Sequence, residues 1–191
     1  MQRERALDIV HQYVQNLSLR RHMLAVEAAM VDYARELNQD PLAWGLAGLL
    51  HDFDWEIHPT ADLHPMAGAP ILRSEGVPEP VVQAILGHAE HSGVPRTSLM
   101  AKALFACDEI TGFITACALI RPSRSVMDLS VKSVRKKWKN ARFAAAVDRE
   151  EIERAAEEFG VDLWNSHVDH VIQSMRRIAD ELGLAGEETS V

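Results

Sequence analysis

Apolar residues recur along this chain at spacings of three and four almost from end to end, the period of helices that bury one side. Leu7, Val10, Val14 and Leu17 form the first stripe and predict a helix over residues 3–16. Leu24, Ala28, Val31 and Leu37 form the second, with Ser18 as its candidate cap and an end near Asn38. Asp40-Pro41 then supplies an N-cap followed by proline at the first helical position, which predicts a third helix from Pro41 to about Phe53. Trp44, Leu46, Leu49 and Leu50 make that helix apolar nearly all round, so it belongs at the centre of a core. An irregular stretch over 54–62 precedes a short helix predicted from about His64 to Ser74, which Gly76 closes. Pro78 and Pro80 open a helix that runs to about Glu90. After the SGVPR turn a long apolar helix spans Leu99 to Ile120, until Arg121-Pro122 stops it. Asp148 caps a segment reaching about Phe159, and Leu163, Val168, Val171, Ile172 and Met175 line a helix ending at Leu182-Gly183. No β-alternation or internal repeat stands out, so the expected fold is all-α. Its expected parts are a helical core over 1–122, a helical extension over 123–185 packed on the same domain, and a frayed tail over 186–191.

Composition narrows the picture. The 191 residues are 47% hydrophobic and 25% charged, the balance of an ordinary globular chain. A chain of this size buries roughly 70% of its unfolded surface and needs no disulfide or structural metal to hold a core. Cys107 and Cys117 share one apolar segment, which suits buried thiols in a reducing compartment. The N-terminus lacks the apolar core of a signal peptide, and no apolar stretch is long enough to span a bilayer; a cytoplasmic location without a membrane partner is expected. With 28 acidic and 20 basic residues the net charge is −8, which argues against nucleic-acid binding as the main role. One segment runs against that balance: Lys132, Arg135, Lys136, Lys137, Lys139 and Arg142 fall within eleven residues, with no acidic residue between Asp128 and Asp148. It is read first as a solvated helical face and second as a contact for a substrate phosphate.

The histidines carry the chemistry. Five of the nine, His51, His58, His64, His88 and His91, lie within 41 residues, and His22 sits alone on the second helix. Neutral imidazoles and carboxylates are the ligands of divalent metals, and a functional site draws them from several helices facing one interior. Adjacent residues project about 100° apart on a helix, so His51 and Asp52 reach one ion together only near a helix end. Asp108 stands among Phe105, Ala106, Cys107 and Ile110, where an unpaired carboxylate costs several kcal/mol unless a cation, a hydrogen-bond network or a proton satisfies it. His167 and His170 are read as structural, and His11 has no support.

The order His22, then His51-Asp52 after AGLL, then Asp108 in a long apolar helix resembles the HD superfamily of metal-dependent phosphohydrolases, over about residues 18–120. Taken over its length the chain looks like a stand-alone bacterial branch of that superfamily, close to the HDIG type. The resemblance implies an HD-domain helical bundle in which His22, His51, Asp52 and Asp108 hold one divalent metal. His64, in HPMAGAPIL, and His88, in ILGHAEH, look like the ligands that complete a second site, with His91 and His58 left open. Mn, Mg, Fe, Ni, Co and Zn are not distinguished. Asp52 or Glu109 would handle protons; Arg21 (beside Arg20), Lys102 and Lys136 would meet phosphate. Asp54 and Glu56 read equally as supports of the site or as a solvated loop. The chain departs from the family pattern at HDFDW, where HDIGK is common, at HAEH, where dinuclear phosphodiesterases carry adjacent histidines, and at SGVPR, where their GYP signature is absent. The expected activity is hydrolysis of a phosphate ester, a monoester or diester, of a nucleotide or other small phosphorylated metabolite. The alternatives are a di-iron oxygenase of a small organic substrate and a non-catalytic nucleotide sensor; a homo-oligomer is left open.

Overall fold

The computed structural model describes residues 1–186, and these contain ten α-helices and no strand. None of the described helices is long and apolar enough to cross a membrane. The chain divides into two compact units, Met1–Phe105 and Ala106–Val191, with residues 187–191 of the expected tail outside the described part.

The first unit is built on α1 (Arg3–Tyr13), α2 (Leu17–Glu36) and α3 (Pro41–Leu50). The cap of α2 is Asn16, not Ser18: its side-chain carbonyl accepts from the amides of Ser18 and Leu19. Asp40 caps α3 by accepting from Leu42 N–H at 2.9 Å, with Pro41 in the first turn. Gly45 and Gly48 let α3 lie directly on α2. A Cβ at 48 would stand 2.8 Å from both Cα and N of Glu27, and one at 45 would stand 2.9 Å from Val31 Cγ2. Glu27 is itself buried and held by a bidentate pair with Arg3 at 2.5 and 2.8 Å.

Of the boundaries that differ from the sequence expectation, two matter for the site. α3 ends at Leu50, so His51 is its C-cap and Asp52 falls in the following turn. α4 (Ala69–Ser74) begins five residues after His64. A residue before proline is disfavoured in the helical region, which keeps His64 out of a helix ahead of Pro65; Pro70 then presets the first turn of α4. The segment 51–68 is a run of turns. α5 (Glu79–Gly87) ends with His88 as its C-cap, and a short 3-10 turn, Glu90–Ser92, follows. α6 (Leu99–Leu119) begins in this unit and continues into the next.

In the second unit α7 (Val131–Trp138) starts with a Ser130/Ser133 capping box. Trp138 stacks edge-on against Phe113 and Trp164, and Phe113 against Phe143, with centroids 5.2–5.5 Å apart. The Arg149 guanidinium donates to the carbonyls of Trp138, Asn140, Phe143 and Val147 and lies over the rings of Phe113 and Trp138. α8 (Arg149–Phe159) is capped by Asp148 and stops at Gly160, whose φ of +83° is the left-handed conformation glycine adopts without strain. The last predicted helix is divided into a π turn (Leu163–His167), α9 (Val168–Arg177) and α10 (Ala179–Leu182). His167 is fully buried in that wider turn with its Nε2 2.8 Å from the Ala106 carbonyl, and burial pushes its pKa down to about 4.

Candidate metal centre

The chain ends of α3 and α5 decide which ring nitrogens are free. His51 Nδ1 lies 2.8 Å from the Gly48 carbonyl and His88 Nδ1 lies 2.5 Å from the Ile85 carbonyl, each three residues back. A carbonyl only accepts, so each Nδ1 carries a proton and each Nε2 of the neutral ring presents a lone pair. His64 Nδ1 lies 2.7 Å from Asp54 Oδ1, which fixes the same tautomer through a carboxylate.

These lone pairs converge on Asp52. His22 Nε2 and His51 Nε2 are 3.2 Å apart, and both face Asp52 Oδ2, at 3.9 and 3.4 Å. His64 Nε2 and His88 Nε2 are likewise 3.2 Å apart and face Asp52 Oδ1, at 3.2 and 3.6 Å. The ligand atoms of Asp52, His64 and His88 all lie within 4.8 Å of one another, a group that could hold a metal ion. One carboxylate therefore offers each of its oxygens to a separate pair of imidazoles.

The His64 and His88 lone pairs, both fixed on Nε2, repel at this distance unless a cation lies between them, and the donor set is that of a borderline divalent ion. The electrostatics point the same way. Without an ion the same rings can take a second proton: burial works to raise the Asp52 pKa, yet the charge of a protonated His51 and hydrogen bonds from His51, His64 and His88 hold it well below the usual carboxylate range. Burial likewise opposes protonation of His64, but Asp52 and Asp54 outweigh it and raise its pKa to about 9. The residues present fit a metal ion: between His64 and the carboxylates the site demands positive charge, from a proton or a metal.

Support for His64 comes from four residues. Asp54 is fully buried, and its Oδ2 has no hydrogen-bond partner. It lies against Gly68, where a Cβ would stand 2.4 Å from Oδ2. Gly68 is thus glycine for space, since its φ of −74° is open to any residue. His91 Nε2 donates to the His64 carbonyl at 2.8 Å, which holds the backbone of the ligand loop, and the Trp55 ring stands edge-on to the His64 ring at 5.0 Å.

The other sequence candidates separate by place. Glu56 accepts from the amides of Gln15 and Asn16 at 2.6–3.0 Å, and those bonds lower its pKa. Arg20 donates to the Val14 and His11 carbonyls and so finishes α1. Arg21 keeps a buried Nε without a partner. His58 is half-buried on the turn segment, and Lys102 is half-buried on α6. Asp108 and Glu109 are on α6 in the second unit, both half-buried. Lys136 is exposed on α7. Gly48 and Gly68 escaped the sequence reading; the AGLLHD and HPMAGAP strings that contain them were the available signal.

The family model of the HD domain matches residues 19–112. This is an HD-domain protein. The match runs from the turn of α2 that bears His22 to the stretch of α6 that bears Asp108, so it takes in every residue of the histidine cluster. HD-domain proteins are in general metal-dependent phosphohydrolases, and the His/Asp groups here could hold such a metal. No curated protein matches the chain, and no solved structure does.

Proposed function

We propose that this HD-domain protein hydrolyses a phosphate ester of a nucleotide or other small phosphorylated metabolite with the help of one or two divalent metal ions. The observation that supports it is the convergence of four imidazole Nε2 atoms, in two pairs, on the two oxygens of Asp52. His22, His51, Asp52 and Asp108 would hold one ion, as the family resemblance implies, and His64 and His88 would complete a second position with Asp52 between the two. A divalent ion lowers the pKa of bound water toward neutrality and polarises a phosphoryl oxygen.

The chain's own residues do the rest. The Gly48 and Ile85 carbonyls and the Asp54 carboxylate hold three imidazoles in the tautomer that presents Nε2. Asp54 also makes His64 more basic by accepting its Nδ1 proton. Asp52, kept ionised, faces the Nε2 atoms of all four rings and would orient the attacking water; Glu109 is the second candidate for moving a proton. Arg21, with its buried unpartnered Nε, and Lys102 are the cations proposed for the phosphate oxygens.

The test is metal analysis of the purified chain, then a panel of phosphomonoesters and phosphodiesters with phosphate release as readout. Asp52→Ala and Asp108→Ala are expected to lose both bound metal and turnover. Unchanged metal content in both variants refutes the assigned ligands. Oxygen consumption with bound iron and no phosphate release points instead to the di-iron chemistry, and ligand recovered intact to a sensor.

A further inference from the structure

The basic run resolves into a groove. Along α7 and its C-cap, Lys132, Arg135, Lys136 and Lys139 follow the i, i+3, i+4, i+7 order and share one face, and with Ser130 and Ser133 they line a cavity of about 480 Å³. The opposite side is anchored: Val134 is fully buried, and Trp138 sits in the aromatic cluster that Arg149 ties down. The four cations are thus presented by a fixed helix.

The four are clustered and unpaired. Three other arginines of this acidic chain close onto carboxylates bidentately, in Arg3–Glu27, Arg73–Glu79 and Arg121–Asp128. None of Lys132, Arg135, Lys136 and Lys139 makes an ion pair among the described residues; the field of Arg135 reaches Asp162, and its guanidinium lies 5.4 Å from the Trp164 ring. Like charges at these spacings oppose one another and destabilise the helix. Four like charges around a concavity within the size range of small-ligand sites form a receptor for a compact polyanion. Lysine supplies point charges and arginine a planar fork, a mixture suited to several adjacent phosphate oxygens.

We propose that the α7 groove binds an oligophosphate, free or as the polyphosphate chain of a nucleotide. The site belongs to the second unit and requires none of the histidine cluster.

The full chain, stripped of metal with chelator, is titrated by calorimetry with inorganic triphosphate, orthophosphate, a nucleoside triphosphate and a single-stranded oligonucleotide. Triphosphate is expected to bind one per chain and about tenfold or more tighter than orthophosphate. Lys132→Gln/Lys136→Gln is expected to weaken it at least about tenfold, with an unfolding midpoint no lower than that of wild type, while Arg142→Gln, outside the lining, changes it less than about twofold. Equal affinity for inorganic triphosphate and the nucleotide identifies the free oligophosphate as the ligand; a tighter nucleotide identifies the nucleotide. Absence of saturable binding overturns the proposal. So does an equal loss in Arg142→Gln, which marks a diffuse field, or displacement by the oligonucleotide at lower concentration, which marks a nucleic-acid surface. Because binding is read without metal, failure here is distinct from failure of the hydrolase proposal, which is read by metal content and phosphate release.

Discussion

Replacing Gly48 by alanine tests how the metal ligands are spaced. The added Cβ would lie 2.8 Å from Glu27 Cα and N and 3.0 Å from Val26 C, all backbone atoms that no rotamer change can remove. Ordinary carbon contacts sit at about 3.5–4.0 Å, so α2 and α3 must part by roughly 1 Å at this point. Overpacking of this kind costs about 1–3 kcal/mol, against about 0.5–1 kcal/mol gained from the better helix propensity of alanine. The net loss of roughly 1–2 kcal/mol corresponds to a Tm lower by about 2–8 °C for a chain of this length. The same parting acts on the site, because His22 is on α2 and His51 follows Gly48 by three residues, with their Nε2 atoms 3.2 Å apart. Ligand distances hold only within about 0.2 Å of ideal, so metal affinity is expected to fall about tenfold or more. Gly112→Ala in α6 is the control, since nothing lies within 4 Å of its Cβ; it is expected to gain about 0.5–1 kcal/mol. Thermal unfolding and calorimetric metal titration of both variants check this. A Gly48→Ala chain as stable as wild type, with metal affinity intact, refutes the claim that backbone contact at α2–α3 sets the ligand spacing.

Gly68→Ala is expected to displace the Asp54 carboxylate and weaken metal binding with a smaller effect on Tm; unchanged metal affinity on titration would show that Asp54 does not position His64. His167, with a folded pKa of about 4 against 6.5 unfolded, contributes stability that is present above pH 6.5 and lost as pH falls toward 4. That loss is about 2 kcal/mol at pH 5. Urea unfolding of wild type and His167→Gln at pH 7 and pH 5 should show it as a difference between the two chains, and parallel pH dependences would contradict it. Arg149→Ala removes a cation from two aromatic faces and strands four carbonyl acceptors, so a loss of about 2–4 kcal/mol is expected by chemical denaturation.

Much of the fold was open to the sequence because its signals are local. Asp40-Pro41 and Asp148 mark helix ends by chemistry that acts within a few residues, and α3 and α8 begin where those signals put them. The histidine cluster was foreshadowed by residue type and order. What could not be read is what depends on neighbours distant in sequence. Nothing local tells that Glu56 belongs to the amides at 15 and 16, or that His91 donates to the His64 carbonyl. Nor does it tell that Gly48 is small because Glu27 backbone lies against it. The start of α4 was placed at about His64, whereas the helix begins at Ala69, beyond the proline that works against a helical His64.

The turn segment that carries His64 is irregular, yet it is moored at several points: Glu56 to the α1–α2 corner, Asp54 to the His64 ring, and His91 to the His64 backbone. An ion arriving there meets donors already in place, so little of its binding free energy goes into ordering a loop. Uptake is then expected to be rapid and to leave the amide exchange of residues 54–68 almost as slow in the metal-free chain as in the loaded one.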